Sequence, residues 1–311
     1  MENTAKVLSV NISEKKGTIK IPVDYIELNE LGVVNDAHAG PWGRQVSLLA
    51  RESIEKFEKD MGRQIKYGEF AENITTEGII LHDSHPLDRL IIGETELEVT
   101  QIGKKCHGDN CVIFREVGNC VMPKEGIFCR VIRTGRIEAG MEIRYLPKNF
   151  IFKIVTMSDR ASQGIYEDKS GPRAEELIRE FLQVQGWKGE TEITVLPDDP
   201  LKLKVLLERY ISDKVDFIFT TGGTGIGPRD YTPDVVREVV SREIPGIMEL
   251  IRMKYGQEKP NALVSRSIAG VAGSSLIYAL PGSVKAVNEY MEEITKTLKH
   301  SVFMLHGLDE H

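Results

Sequence analysis

Residues 152–305 repeat one pattern: a short apolar run, a polar turn, then an amphipathic segment of helical period. Strands are expected over 152–157, 191–196, 216–221 and 275–280. Helices are expected over 172–185, 201–210, 233–242, 246–255 and 284–305. This alternation confines a chain to a mainly parallel, doubly wound sheet with right-handed crossovers. All strand carboxyl ends then share one edge, where such sheets bind their ligands. The turns delivered there are Ser158-Asp159-Arg160, Pro197-Asp198-Asp199, a glycine loop carrying Asp230, and Pro281-Gly282-Ser283. Acidic turns converging on a glycine loop point to a phosphate or nucleotide held with magnesium. The competing reading is a set of solvated helix caps.

The loop places Gly222, Gly223, Gly225 and Gly227 within six residues, and a helix start, Thr232-Pro233-Asp234, follows. Thr232 is the expected N-cap, with Pro233 at the first helical position and an acid in the first turn. Glycines let backbone N–H groups approach an anion without interference from Cβ, and a helix N-terminus beyond them favours negative charge. No Gly-Lys-Ser/Thr follows, so this is not a Walker A loop, and the spacing is not G-x-G-x-x-G. Taken alone, the loop fits a tight turn without ligand equally well.

The 311 residues correspond to about two domains, and an apolar content of 41% supports packed cores. A net charge of −7 without a basic block argues against a nucleic-acid partner. The N-terminus lacks a basic segment followed by a long apolar core, and no apolar run reaches the length of a membrane span. The expected location is therefore cytoplasmic, with no membrane partner. Residues 5–145 are β-rich, with apolar alternations at 6–10, 17–22, 90–102, 127–132 and 141–145 and one helix over 47–59. Many short strands with glycine-rich turns fit a small barrel or curled sheet. A polar segment containing Pro147 marks the boundary, giving domains 1–146 and 147–311.

In the first domain His38, within Asp36-Ala37-His38-Ala39-Gly40, is open as a ligand, an acid–base group or a structural hydrogen-bonder. All four cysteines, Cys106, Cys111, Cys120 and Cys129, lie in that domain. Cys106 follows Lys104-Lys105 and precedes His107, and nearby cations lower a thiol's pKa. Cys106 is thus the best reactive candidate. A zinc site is the rival, although the spacing matches no common finger, and Cys129 in an apolar run is expected to pack.

The segment Ser158-Asp159-Arg160-Ala161-Ser162-Gln163-Gly164-Ile165-Tyr166, with Leu196-Pro197-Asp198-Asp199, Thr220-Thr221-Gly222-Gly223-Thr224-Gly225, Arg229-Asp230-Tyr231-Thr232-Pro233-Asp234 and Leu280-Pro281-Gly282-Ser283, resembles the molybdopterin adenylyltransferase family. The likeness spans essentially the whole second domain. Asp36 to Gly40, Arg44-Gln45-Val46-Ser47-Leu48, Gly68-Glu69-Phe70-Ala71-Glu72-Asn73, Gly103-Lys104-Lys105-Cys106-His107 and Met122-Pro123-Lys124-Glu125-Gly126 resemble the MOSC domain, a β-rich module named for molybdenum-cofactor sulfurases.

The resemblance implies a barrel-like MOSC domain followed by a three-layer α/β sandwich with a mainly parallel sheet. It implies magnesium-dependent transfer of AMP from ATP to molybdopterin, releasing diphosphate, in molybdenum cofactor biosynthesis. Asp198 and Asp230 would be the catalytic, magnesium-holding carboxylates. Ser158, Asp159, Thr221, Gly222, Gly223, Thr224, Gly225 and Ser283 would bind adenylate or pterin, and Cys106 would carry sulfur or contact the metal cofactor. A homotrimer is the implied assembly, with other proteins of cofactor biosynthesis as partners. The alternative is a non-catalytic carrier of molybdopterin or finished cofactor.

Overall fold

The structure is a computed structural model that describes residues 5–105 and 120–308. The chain divides into two compact units, Met1–Lys148 and Asn149–His311.

In the first unit seven strands close a barrel. Around the ring they run Glu142–Leu146, Arg89–Ile92, Thr95–Ile102, Ile127–Arg133, Val46–Ala50, Ile74–Glu77 and Ala5–Ile12. Ala5 pairs with Ile143 to close it. Ile21–Val23 extends the sheet beside Ala5–Ile12, and Gly135–Glu138, Tyr25–Asn29 and Gly32–Val33 form a separate small sheet. Alternation along the strands sends Val7, Leu48, Ile74, Leu90, Leu97 and Ile127 into one core. The helix Arg51–Met61 begins later than the sequence pattern implies, because 47–50 belong to a strand buried on both faces. A run such as Val46-Ser47-Leu48-Leu49-Ala50 satisfies either period, and burial decides.

The second unit is a six-stranded sheet in the order Lys188–Leu196, Asn149–Met157, Phe217–Thr221, Ser275–Leu280, Ala269–Ala272, Arg242–Glu243. The first four strands are parallel and the last two antiparallel. On one face Val155, Met157, Ile218, Ile277 and Ala279 pack against Leu203, Leu207 and Tyr210 of helix Pro200–Ser212 and Val235 and Val236 of helix Thr232–Val239. The other face is aromatic. Phe152 stacks on Phe217 at 4.5 Å and Phe150 on Trp187 at 4.3 Å. Trp187 in turn meets Phe181 of helix Ser170–Gln185 and Phe303 of helix Val284–Leu305, each at 5.6 Å. Helices thus cover both faces of a mainly parallel sheet. Among the described residues no helix is long and apolar enough to cross a membrane.

The topology positions the site. From Asn149–Met157 the chain passes to Lys188–Leu196 on one side, then crosses to Phe217–Thr221 on the other. The connections reverse direction between Asn149–Met157 and Phe217–Thr221, and their carboxyl ends open a crevice at Ser158 and Gly222.

Phe217 is fully buried in the aromatic layer. Phe217→Ala should cost about 3–5 kcal/mol, whereas Val205→Ala on an exposed helical face should cost less than about 0.5 kcal/mol. Urea unfolding of the full chain followed by circular dichroism reads both, and equal costs would contradict this packing.

Candidate active site

The glycine loop is assembled by close backbone contacts. Gly222 and Gly223 adopt φ of 99° and 63°, which disfavours other residues. The Gly222 N–H donates to Leu280 O at 3.0 Å. A Cβ on Gly222 would lie 2.5 Å from Met157 O, and one on Gly282 would lie 3.1 Å from Gly222 Cα. Gly223 O accepts the Thr232 N–H at 3.1 Å. Thr232 is therefore the first residue of its helix rather than the cap, which is Tyr231.

Gly225 and Gly227 also serve the loop itself. A Cβ on Gly225 would come within 2.6 Å of Asp230 Oδ2, and the Gly227 N–H donates to that oxygen at 2.8 Å. These two glycines make room for the loop's own carboxylate.

Arg266, which sequence reasoning missed, ties the loop together. Its backbone N–H donates to Thr224 O at 2.8 Å and its Nε to Gly225 O at 2.8 Å. Its Nη2 donates to Asp230 O, and its Nη1 to both carboxylate oxygens of Asp234 at 2.8 and 2.9 Å. The only sequence signal was an arginine just ahead of an apolar run.

The two neighbouring acidic turns bind each other. The Asp198 N–H donates to Asp159 Oδ1 at 3.0 Å, and the Asp159 N–H reaches Asp198 Oδ2 at 3.4 Å. Arg229 lies 3.2 Å from Asp159 Oδ2. Asp199 is occupied as an N-cap, accepting from Leu201 and Lys202, so of this acidic pair Asp198 is left to the crevice. Partial burial raises the Asp198 carboxyl above its ordinary value. The Asp159 and Asp230 carboxylates push the same way, while the Asp159 N–H and Arg229 oppose them. Ser158 and Ser283 are N-caps as well, accepting from Ala161 and Ala286 at 3.2 Å.

The threonines face inward. Thr221 Oγ1 lies 2.9 Å from Ser170 Oγ and 3.3 Å from Thr156 Oγ1. Asp168 accepts from Thr156 Oγ1 at 2.7 Å, from Ser170 N and Oγ at 2.9 and 3.0 Å, and from Gly171 N at 3.2 Å. This network anchors the strand just ahead of the glycine loop; Asp168 and Ser170 belong to the segment 158–172 that carries the family resemblance, but no role was assigned to them from sequence. Thr224 Oγ1 reaches Ser265 Oγ at 3.5 Å. The hydroxyls of Thr221 and Thr224 are thus engaged by neighbouring side chains.

Among the described residues no three His, Cys, Asp or Glu side chains are grouped closely enough to hold a metal. The donor set fits magnesium in its usual mode, one or two carboxylates completed by substrate phosphates and water. The carboxylates that face this crevice include Asp198 and Asp230, and the charge of Asp230 adds to the cost of ionising Asp198.

Residues 153–300 match the family described as a probable molybdopterin binding domain, and 35–144 match the MOSC domain. A molybdopterin adenylyltransferase of Helicobacter pylori is 35% identical over 154 residues, 50% of this chain and 86% of that protein. The chain belongs to the molybdopterin adenylyltransferase family. A molybdenum cofactor biosynthesis bifunctional protein of Chlorobaculum tepidum is 37% identical over 156 residues, covering 50% of this chain and 48% of that protein. Gephyrin of Dictyostelium discoideum is 34% identical over 168 residues, covering 51% and 23%. The chain thus spans about half, or less, of these two longer relatives. All three likenesses cover the half of the chain that carries the crevice, and the first unit is a MOSC domain.

Cys106, with His107 and Cys111, lies outside the described residues. Cys129 is buried in the barrel and its thiol is pushed well up by burial, which makes it packing rather than chemistry. His38 stands against a buried ion pair. Lys20 bonds to Asp36, both side chains are fully buried, and His38 Nδ1 lies 3.4 Å from each partner. Burial would raise Asp36, but hydrogen bonds from His38 and Lys20 outweigh it and hold the carboxyl far below its ordinary value. Close by, fully buried Glu72 accepts from the Gly68 N–H at 2.6 Å and Thr75 Oγ1 at 2.9 Å. Its Oε2 has no hydrogen-bond partner among the described residues.

Burial pushes the Glu72 carboxyl up to about 6. The folded MOSC domain therefore holds this proton to higher pH than the unfolded chain, and its stability falls as pH rises from about 4.5 to about 6. Glu72→Gln removes that slope. Its stability relative to the natural chain should grow by on the order of 2 kcal/mol between pH 4.5 and pH 7. Urea unfolding at the two pH values checks this, and a constant difference would show that Glu72 does not titrate there.

Proposed function

We propose that the second domain transfers AMP from ATP to the terminal phosphate of molybdopterin, releasing diphosphate. The observation that carries this is the meeting of Asp159, Asp198 and Asp230 with the glycine loop at the point where the sheet's connections reverse. In the reaction a phosphate oxygen of molybdopterin forms a bond to the α-phosphorus of ATP. The bond from that phosphorus to the bridging oxygen breaks, and its electron pair leaves with diphosphate. The nucleophile is already ionised, so no general base is required and positioning dominates. The obstacle is bringing anions together.

Asp198 and Asp230 would hold magnesium, which neutralises phosphate charge when bound. The chain's own groups do the rest. Backbone amides of Thr224 and Gly225 receive phosphate oxygens, the Gly222 amide being bonded to Leu280, and the helix opened by Ser283 offers its N-terminus beside them. Ser158 and Asp159 form the facing wall, and Arg229, exposed and bonded to Asp159, adds a positive charge at its rim. A homotrimer acting in the cytoplasm belongs to this reading, as does a MOSC domain that handles sulfur or the metal cofactor through Cys106.

Asp198→Asn and Asp230→Asn should each lower kcat for adenylyl-molybdopterin formation by about 10²-fold or more while leaving the melting temperature within a few degrees. Cys106→Ser should retain transfer. Diphosphate release with ATP, molybdopterin and magnesium measures all three. If the natural chain binds molybdopterin but neither binds ATP nor forms product, it is a carrier. Loss of transfer in Cys106→Ser would overturn the division of labour between the domains.

A further inference from the structure

Arg266 has a use beyond holding the chain together. A trans peptide points its carbonyl and the following N–H in opposite directions. Thr224 O is held by the Arg266 N–H, so the Gly225 N–H is turned away from it. Gly225 O is held by Arg266 Nε, so the Ile226 N–H is turned away as well. Gly223 O is held by Thr232, which turns the Thr224 N–H outward in the same manner. No hydrogen bond among the described residues uses the N–H of Thr224, Gly225 or Ile226. Three consecutive amides with tied carbonyls and unused hydrogens form the kind of concavity that receives an anion.

The guanidinium is largely committed to this clamp. Of its five N–H donors, Nε serves Gly225 O, one on Nη1 is shared between the two Asp234 oxygens and one on Nη2 serves Asp230 O. Arg229 differs, since its side chain is 73% exposed and, among the described residues, bonded to Asp159 alone.

We propose that Arg266 is a positioning residue that shapes the backbone from Thr224 to Asp230 into a phosphate cradle without touching the substrate. The clamp also fixes the main chain of Asp230, so one residue sets both the amides and the carboxylate. This rests on the phosphate-transfer reading above. The phosphate belongs either to the nucleotide or to the pterin, and both present the same oxygens to the amides.

The test uses the full chain and inorganic diphosphate as probe, titrated calorimetrically without magnesium. Arg266→Met should bind diphosphate at least tenfold more weakly than the natural chain, and Arg266→Lys should recover part of the loss. In the transfer assay Arg266→Met should raise KM at least tenfold for ATP or for molybdopterin, and the substrate affected identifies whose phosphate sits in the cradle. Diphosphate affinity within twofold of the natural chain would overturn the proposal, as would a loss confined to kcat. If Arg266→Met fails to fold, Asp234→Asn keeps the arginine but removes its carboxylate clamp and should weaken diphosphate binding in the same direction, with unchanged affinity again overturning the proposal. A natural chain that binds diphosphate through Arg266 yet transfers no AMP would refute the adenylyl transfer and leave the cradle standing.

Discussion

The carboxyl edge of the second sheet depends on three backbones passing within contact distance of one another. At Met157, Gly222 and Gly282 the ends of three adjacent parallel strands leave no room for a Cβ at Gly222 and little at Gly282. That contact aligns the turn after each strand and fixes where the glycine loop departs. Every later feature of the crevice is referred to it: the reversal at Gly223, the helix entered at Thr232, and the carboxylate of Asp230 folded back under Gly225 and Gly227. The charges come second. Asp198 meets other carboxylates in a setting where burial already penalises its ionisation, and a compact unit tolerates such a cluster when something positive visits it.

Much of this was legible in the sequence, for identifiable reasons. Parallel strands buried on both faces read as continuous apolar runs, and their turns carry cap residues at fixed offsets, so Ser275–Leu280 and Val284–Leu305 emerged with their observed limits. The closed barrel followed from many short alternations. What escaped was of another kind. Ala269–Ala272 is four small or apolar residues among loops, too short to show a period, and it pairs antiparallel only because its neighbour is already in place. Residues 47–50 fit either period until burial chose.

The site followed the same division. Asp198, Asp230 and the glycines stood out because their types and positions after strands carry chemistry. Arg266 did not, and Ser170 was given no role, because their roles depend on contacts between segments far apart in sequence. Arg266 reaches a loop some forty positions earlier, and Ser170 meets Thr221 across 51 residues. The glycines taught a subtler lesson: a glycine-rich loop reads as space for a guest, yet two of these four make space for the loop's own carboxylate.

The two sheets differ in how they end. The barrel closes on itself through Ala5 and Ile143, and the strand that extends its sheet, Ile21–Val23, is three residues long and interrupted by Pro22. The open sheet ends on one side at the two-residue strand Arg242–Glu243, and on the other at Lys188–Leu196, whose outward positions include Lys188, Glu190 and Glu192. Unpaired strand edges are templates for wrong partners, and short length, proline and charge are the means of blunting them. Two β-containing domains synthesised on one polypeptide run a special risk of pairing with each other before either is finished. Among the described residues these edges are short, broken by proline or lined by charge, which disfavours pairing between the two halves of one polypeptide.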